Sequence, residues 1–69
     1  MKYVVIELQT NKDGTVGNIV TSHETENEAF SKYHAVLSAA ALSELPCHAA
    51  MLIQSDGIPV RFDKFEQGE

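Results

Sequence analysis

"CHAAMLIQ", residues 47–54, decides the fold of this 69-residue chain. Ala49 and Ala50 favour helix on propensity alone. The alternation of side chains and the enrichment in larger apolar residues toward its end favour a strand instead. Read as a strand, it puts Cys47, Ala49, Met51 and Ile53 on one face and His48, Ala50 and Leu52 on the other. "SDGIP" follows, with Asp56-Gly57 as a turn signal, and "IPVRFDKF" reads as the next strand. Pro59 lacks an N–H, which places that strand at a sheet edge or turns its N–H side to solvent.

Upstream the pattern repeats. Residues 2–10 alternate, with Val4, Ile6 and Leu8 pointing one way and Tyr3, Val5, Glu7 and Gln9 the other. Asp13-Gly14 supplies the positive φ of a tight hairpin. "VGNIVTS" then returns as a second strand, with Val16 and Val20 on one face and Ile19 on the other; Gly17 weakens it and suggests a bulge. Between the hairpins, "TENEAF" starts a helix. Thr25 can accept from the backbone N–H of Glu28, whose carboxylate can reach back to the N–H of Thr25. Glu26 and Glu28 suit the positive end of the helix dipole. Phe30, Tyr33, Leu37, Ala40 and Ala41 recur at helical spacing, with Val36 alongside. The helix is expected from Glu26 to about Ser43, ending before Pro46.

The expected fold is α+β: a small two-layer ββαββ domain, with two antiparallel hairpins and one helix packed on the sheet. It forms one domain over residues 1–69, with a hairpin at 1–22, a helical segment at 25–44, a second hairpin at 47–65 and a frayed polar tail at 66–69. Ile6, Val20, Phe30, Leu37, Leu52 and Phe62 are expected in its core. One helix covers only one sheet face, yet the strand at Tyr3–Ile6 is apolar on both sides. An uncovered apolar face on so small a domain implies a partner, and a closed homodimer is the economical one.

Ten acidic and five basic side chains give a net charge of −5. That disfavours direct nucleic-acid binding by phosphate neutralisation. Scattered acidity reads as solubility before it reads as a DNA-mimicking array. There is one cysteine, Cys47, so no disulfide forms within the chain, and a lone thiol suits a reducing cytoplasm. The opening "MKYVVIELQT" has four consecutive apolar side chains, short of the roughly seven of a signal h-region or the roughly twenty of a membrane span. An intracellular, cytoplasmic protein without membrane contact is expected.

Metal and catalytic motifs are not assembled by the sequence. A structural zinc site takes four Cys or His ligands, usually in close pairs. Cys47 and His48 are neighbours on a strand and point to opposite faces, and His23 and His34 straddle the helix start. A Cys–His nucleophile pair meets the same objection, and Cys47 after Pro46 reads as a small buried hydrophobe. We therefore expect no metal, no cofactor and no enzymatic activity. Anion binding is the remaining chemistry: Arg61 and Lys64, with His23, His34 and His48, are the candidate ligand-binding donors if a dimer duplicates them across a groove. The plainer reading of Arg61 and Lys64 is as charges that discourage edge pairing.

The runs "MKYVVIELQT" (1–10), "DGTVGN" (13–18), "SHET" (22–25), "NEA" (27–29) and "KYH-VLSAAA-S-LP-HAA" (32–50) resemble short proteins encoded by bacterial phages and prophages, over residues 1–57. The resemblance brings no catalytic motif and so implies no site residues. It implies a context: accessory proteins that bind a host component. The expected function is stoichiometric, non-catalytic binding that counters host defence, by sequestering a small anionic nucleotide signal or by binding a host protein. A structural or assembly protein of the phage particle, and a DNA-mimicking inhibitor, are the alternatives.

Overall fold

The computed structural model describes residues 2–66; the end of the expected frayed tail, 67–69, lies outside them. Five elements follow in order: β1 (Tyr3–Thr10), β2 (Val16–His23), α1 (Glu26–Ala41), β3 (Cys47–Gln54) and β4 (Pro59–Glu66). The fold is α+β, with one antiparallel sheet in the order β2-β1-β3-β4 and one helix. Residues 47–54 are a strand, so local alanine propensity yields to pairing on both sides of β3. The first strands of the two hairpins meet at the sheet centre, with Val5 opposite Leu52 and Gln9 opposite His48. β4 is an edge strand, as Pro59 requires.

Both hairpins turn through glycine in the left-handed region. Gly14 has φ 91° and Gly57 has φ 93°. Each preceding aspartate fastens its turn: Asp13 accepts from the N–H and hydroxyl of Thr15, and Asp56 accepts from the N–H of Ile58. The two bonds from Thr15 hold the Asp13 carboxyl below its ordinary pKa. The expected bulge at Gly17 is not there, since Gly17 sits in register opposite Gln9. The irregularity lies in the other hairpin. Leu52 faces Arg61 while Ile53 faces Pro59, so Val60 is the extra residue. It follows a proline that cannot donate to the ladder, and its side chain packs against the core.

Thr25 caps the helix as its sequence predicts, accepting from Glu28 N–H at 3.2 Å. Among the described residues only this half of the reciprocal exchange is made. The helix ends at Ala41, two residues early, where Leu42 and Ser43 donate to Ala39 and Ala40 in tighter i→i+3 bonds. Ala29, Tyr33, Val36 and Ala40 form its buried stripe, flanked by Phe30 and Leu37. Ala41, expected in that stripe, is exposed. The small side chains of Ala29 and Ala40 let the backbone approach the sheet closely.

The core lies under the helix: Val5, Ala50 and Leu52 of the central strands against Ala29, Tyr33 and Val36. Of the six expected core residues, Leu52 is fully buried, while Phe30, Leu37 and Ile6 are partly covered. Val20 and Phe62 are corrections, at 55% and 72% exposed. Their strand phase places them with Ile6 on the face away from the helix, at the two sheet edges, where nothing among the described residues covers them.

Candidate functional site

The sheet's two faces offer different chemistry. On the helix side, β1 and β3 carry polar residues in inward phase near one end. Glu7 lies opposite Ala50, and Gln9 lies opposite His48. The imidazole Nε2 of His48 donates to a Glu7 carboxylate oxygen at 2.6 Å, and the side-chain amide of Gln9 donates to the same oxygen at 3.0 Å. The two ion-pair side chains are only 7% and 13% exposed. Burial alone raises the Glu7 pKa. The hydrogen bonds from His48 and Gln9, and the charges of His48 and Lys32, outweigh it and hold the carboxyl below its ordinary value. The other ring nitrogen of His48, Nδ1, is buried without a hydrogen-bond partner among the described residues.

The five sequence-predicted donors do not share a place. His48 is buried in the Glu7 pair, which takes it out of reach of a ligand. His23 pairs across from Tyr3, six positions along β1 from the partner of His48. At about 3.3 Å per residue that separates them by roughly 20 Å. The ring of His23 is bonded to the Thr21 hydroxyl at 2.9 Å. Lys64 lies opposite Ala49 on the open face, 3.6 Å from Glu66, whereas Arg61 lies opposite Leu52 on the helix face. Within one chain, then, Arg61 and Lys64 cannot grip one anion.

Arg61 and His34 alone meet a common neighbour. The Arg61 guanidinium stands 5.8 Å from the centre of the Phe30 ring, and His34 stacks on that ring at 6.0 Å. Tyr33 packs edge-on to His34 at 5.7 Å. Burial raises the Tyr33 pKa, the Asp63 carboxylate adds to this, and Arg61 opposes it. Cys47 lies half-buried on the face opposite His48, so the two make no nucleophile–base pair. Among the described residues no three His, Cys, Asp or Glu side chains are grouped to hold a metal ion. No helix among them is long and apolar enough to cross a membrane.

The second face is apolar and open. Strand phase puts Val4, Ile6 and Leu8 of β1, Val16 and Val20 of β2, Met51 and Ile53 of β3 and Phe62 of β4 on it together. Its charged groups among the described strand residues are Lys64 and Glu66, paired with each other at one corner, with the Lys2–Glu24 pair just beyond the strand ends. The net charge of −5 is therefore carried elsewhere. Contiguous apolar surface of this kind, rimmed by polar groups, is characteristic of protein interaction sites.

Glu7 and Gln9 belong to the buried site and were missed by sequence reasoning. Their signal was phase: a carboxylate and a histidine, each on the inward side of a strand whose neighbours are apolar, need one another. Compared with family models, with curated proteins and with solved structures, the chain matches none.

Proposed function

We propose that this chain is a non-catalytic accessory protein of phage type that acts by stoichiometric binding, with the open sheet face as its contact surface for a host defence protein. The single observation that carries the reading is that face: apolar, free of net charge and uncovered by the one helix among the described residues. In this reading the two-layer ββαββ domain works in the host-cell cytoplasm, and the buried Glu7–His48 pair is structural. Capture of a nucleotide is the weaker branch, because Arg61, Lys64 and the histidines are divided between faces and ends of the sheet.

The test has two arms. Calorimetry with a panel of cyclic and linear nucleotides is expected to give no heat. The tagged chain, recovered from a bacterial host, is expected to retain one protein in fixed ratio, and Phe62→Glu is expected to lose it. Nucleotide heat that Arg61→Ala abolishes would overturn the protein-directed reading in favour of sequestration.

A further inference from the structure

The two edges of the sheet are built differently. β4 carries the devices that keep an edge from pairing: Pro59 at its start, the bulge at Val60, and Arg61, Asp63, Lys64 and Glu66 along it. β2 carries none of them. From Val16 to Ser22 it has no ionisable side chain and no proline, and its register against β1 runs unbroken for eight residues. It also exposes apolar side chains on both faces, with Val16 60% and Val20 55% exposed on one and Ile19 50% on the other.

Which backbone groups this edge presents follows from the ladder. Asn11 N–H donates to the Thr15 carbonyl, and hydrogen-bonded pairs alternate along an antiparallel ladder. Gly17, Ile19, Thr21 and His23 therefore bond to β1. The phase of the other ladder agrees, since Ser55 N–H donates to the Lys2 carbonyl, leaving the even-numbered residues of β1 to β3. Val16, Asn18, Val20 and Ser22 thus aim their N–H and C=O groups away from the sheet. Unpaired strand groups of this kind are a template for another strand.

We infer that β2 is a homodimer interface, pairing antiparallel with the β2 of a second copy to make one continuous eight-stranded sheet. An antiparallel edge is self-complementary, as a two-fold contact requires. The register that centres the axis on Ile19 sets Ile19 opposite the partner's Ile19, Asn18 opposite the partner's Val20, and Val16 opposite the partner's Ser22. All four outward residues are then in hydrogen-bonded positions. Charge selects the same occupant. A chain of net charge −5 repels its copy over most of its surface, but this strand brings no charge against itself. The same register sets Gly14 opposite the partner's Glu24, whose carboxylate is already paired with Lys2 of its own chain at 3.4 Å. The dimer leaves both open faces side by side and free, so it stands whether or not those faces bind a host protein.

Light scattering at micromolar concentration is expected to give twice the 7.6 kDa chain mass. Ile19→Lys sets two ammonium groups opposite each other at the axis and is expected to give a monomer with unchanged circular dichroism. Phe62→Glu, on the open face at the far edge, is expected to remain a dimer. A cysteine pair at the axis is the second probe: Ile19→Cys in a Cys47→Ser background should form a disulfide-linked dimer on mild oxidation. Its tryptic fragment should join the two copies of β2. A wild-type monomer would overturn the proposal. So would a dimer that survives Ile19→Lys but is lost in Phe62→Glu, which would place the contact on the open face. Failure of Ile19→Cys to cross-link in a wild-type-like dimer would exclude the β2 edge as well.

Discussion

The two faces of the sheet are similar in sequence and opposite in fate. Leu52 and Met51 are adjacent apolar residues of β3; one is fully buried under the helix and the other lies on the open face. Val5 and Ile6 repeat the contrast on β1. What differs is the cover, not the residues. One helix supplies a single buried stripe, and the sheet residues buried beneath it belong to β1 and β3. Apolar phase on a strand therefore records two separate demands. On one face it serves folding; on the other, in the reading proposed above, it serves contact with a second molecule.

The largest effect that separates these demands is expected at Leu52. Leu52→Ala removes a fully buried side chain between helix and sheet and should cost about 3 kcal/mol. A chain of this length is expected to have roughly 3–10 kcal/mol of total stability, so the variant should be near unfolding. Urea denaturation reads this directly. A loss of less than about 1 kcal/mol would mean that the helix does not seal this face.

Phe30 stands at the boundary and should fall between the extremes. Its ring is half-buried, with the core on one side and Arg61 and His34 against it. Full burial would make Phe30→Ala cost about 3–5 kcal/mol, and partial cover reduces the expectation to about 2. Comparing Phe30→Ala with and without Arg61→Ala in a double-mutant cycle isolates the cation–ring contact, expected at about 0.5 kcal/mol for an exposed arginine.

How far the sequence carried the fold depends on the range of each signal. The Asp-Gly turns, the Thr25 cap and the strand phases are local, and each is found where the residues put it. Strand identity at 47–54 was readable despite two helix-favouring alanines, because a turn and a second apolar run follow directly. The order in which the hairpins join was not readable, since β1 and β3 pair residues from 37 (Thr10 with Cys47) to 51 (Tyr3 with Gln54) positions apart. The expectation of Val20 and Phe62 in the core fails for the same reason: phase names a face, but only the docked helix says which face is closed. The Glu7–His48 bond joins residues 41 apart, and neither belongs to a spaced motif. Conversely, Arg61 and Lys64 are close in sequence and lie on opposite faces.

The Glu7–His48 pair tests the covered face by charge instead of volume. Glu7→Gln keeps an acceptor for His48 but removes the ionised partner, and should cost about 1 kcal/mol at neutral pH. The pH dependence has a defined sign. The folded-state pKa of Glu7 lies below its ordinary value of 4.5, so ionised Glu7 stabilises the fold above that pH. The contribution falls away as pH drops through the folded-state value. The gap between wild type and Glu7→Gln in urea midpoint should therefore be full at neutral pH and shrink below pH 4.5. A gap that widens on acidification would show the carboxyl to be protonated in the folded protein.

The smallest effect on stability is expected on the open face, and it is the one that bears on the proposed function. Phe62 is 72% exposed at the edge of the sheet, so Phe62→Ser gives up little buried area and should change stability by less than about 0.5 kcal/mol. Its effect on surface chemistry should be large by comparison, because the ring is the largest side chain on that face. A fluorescent probe of exposed apolar surface should bind the wild-type protein under native conditions and bind Phe62→Ser more weakly, with an unchanged urea midpoint. The converse result, a midpoint shifted by more than about 2 kcal/mol with probe binding unaltered, would place Phe62 in a buried contact. Mass measurement of the same sample would then decide which contact. If the loss appears only where the protein is dimeric, the open face is closed by a second copy. If it appears in the monomer, the helix is not the only cover the sheet has.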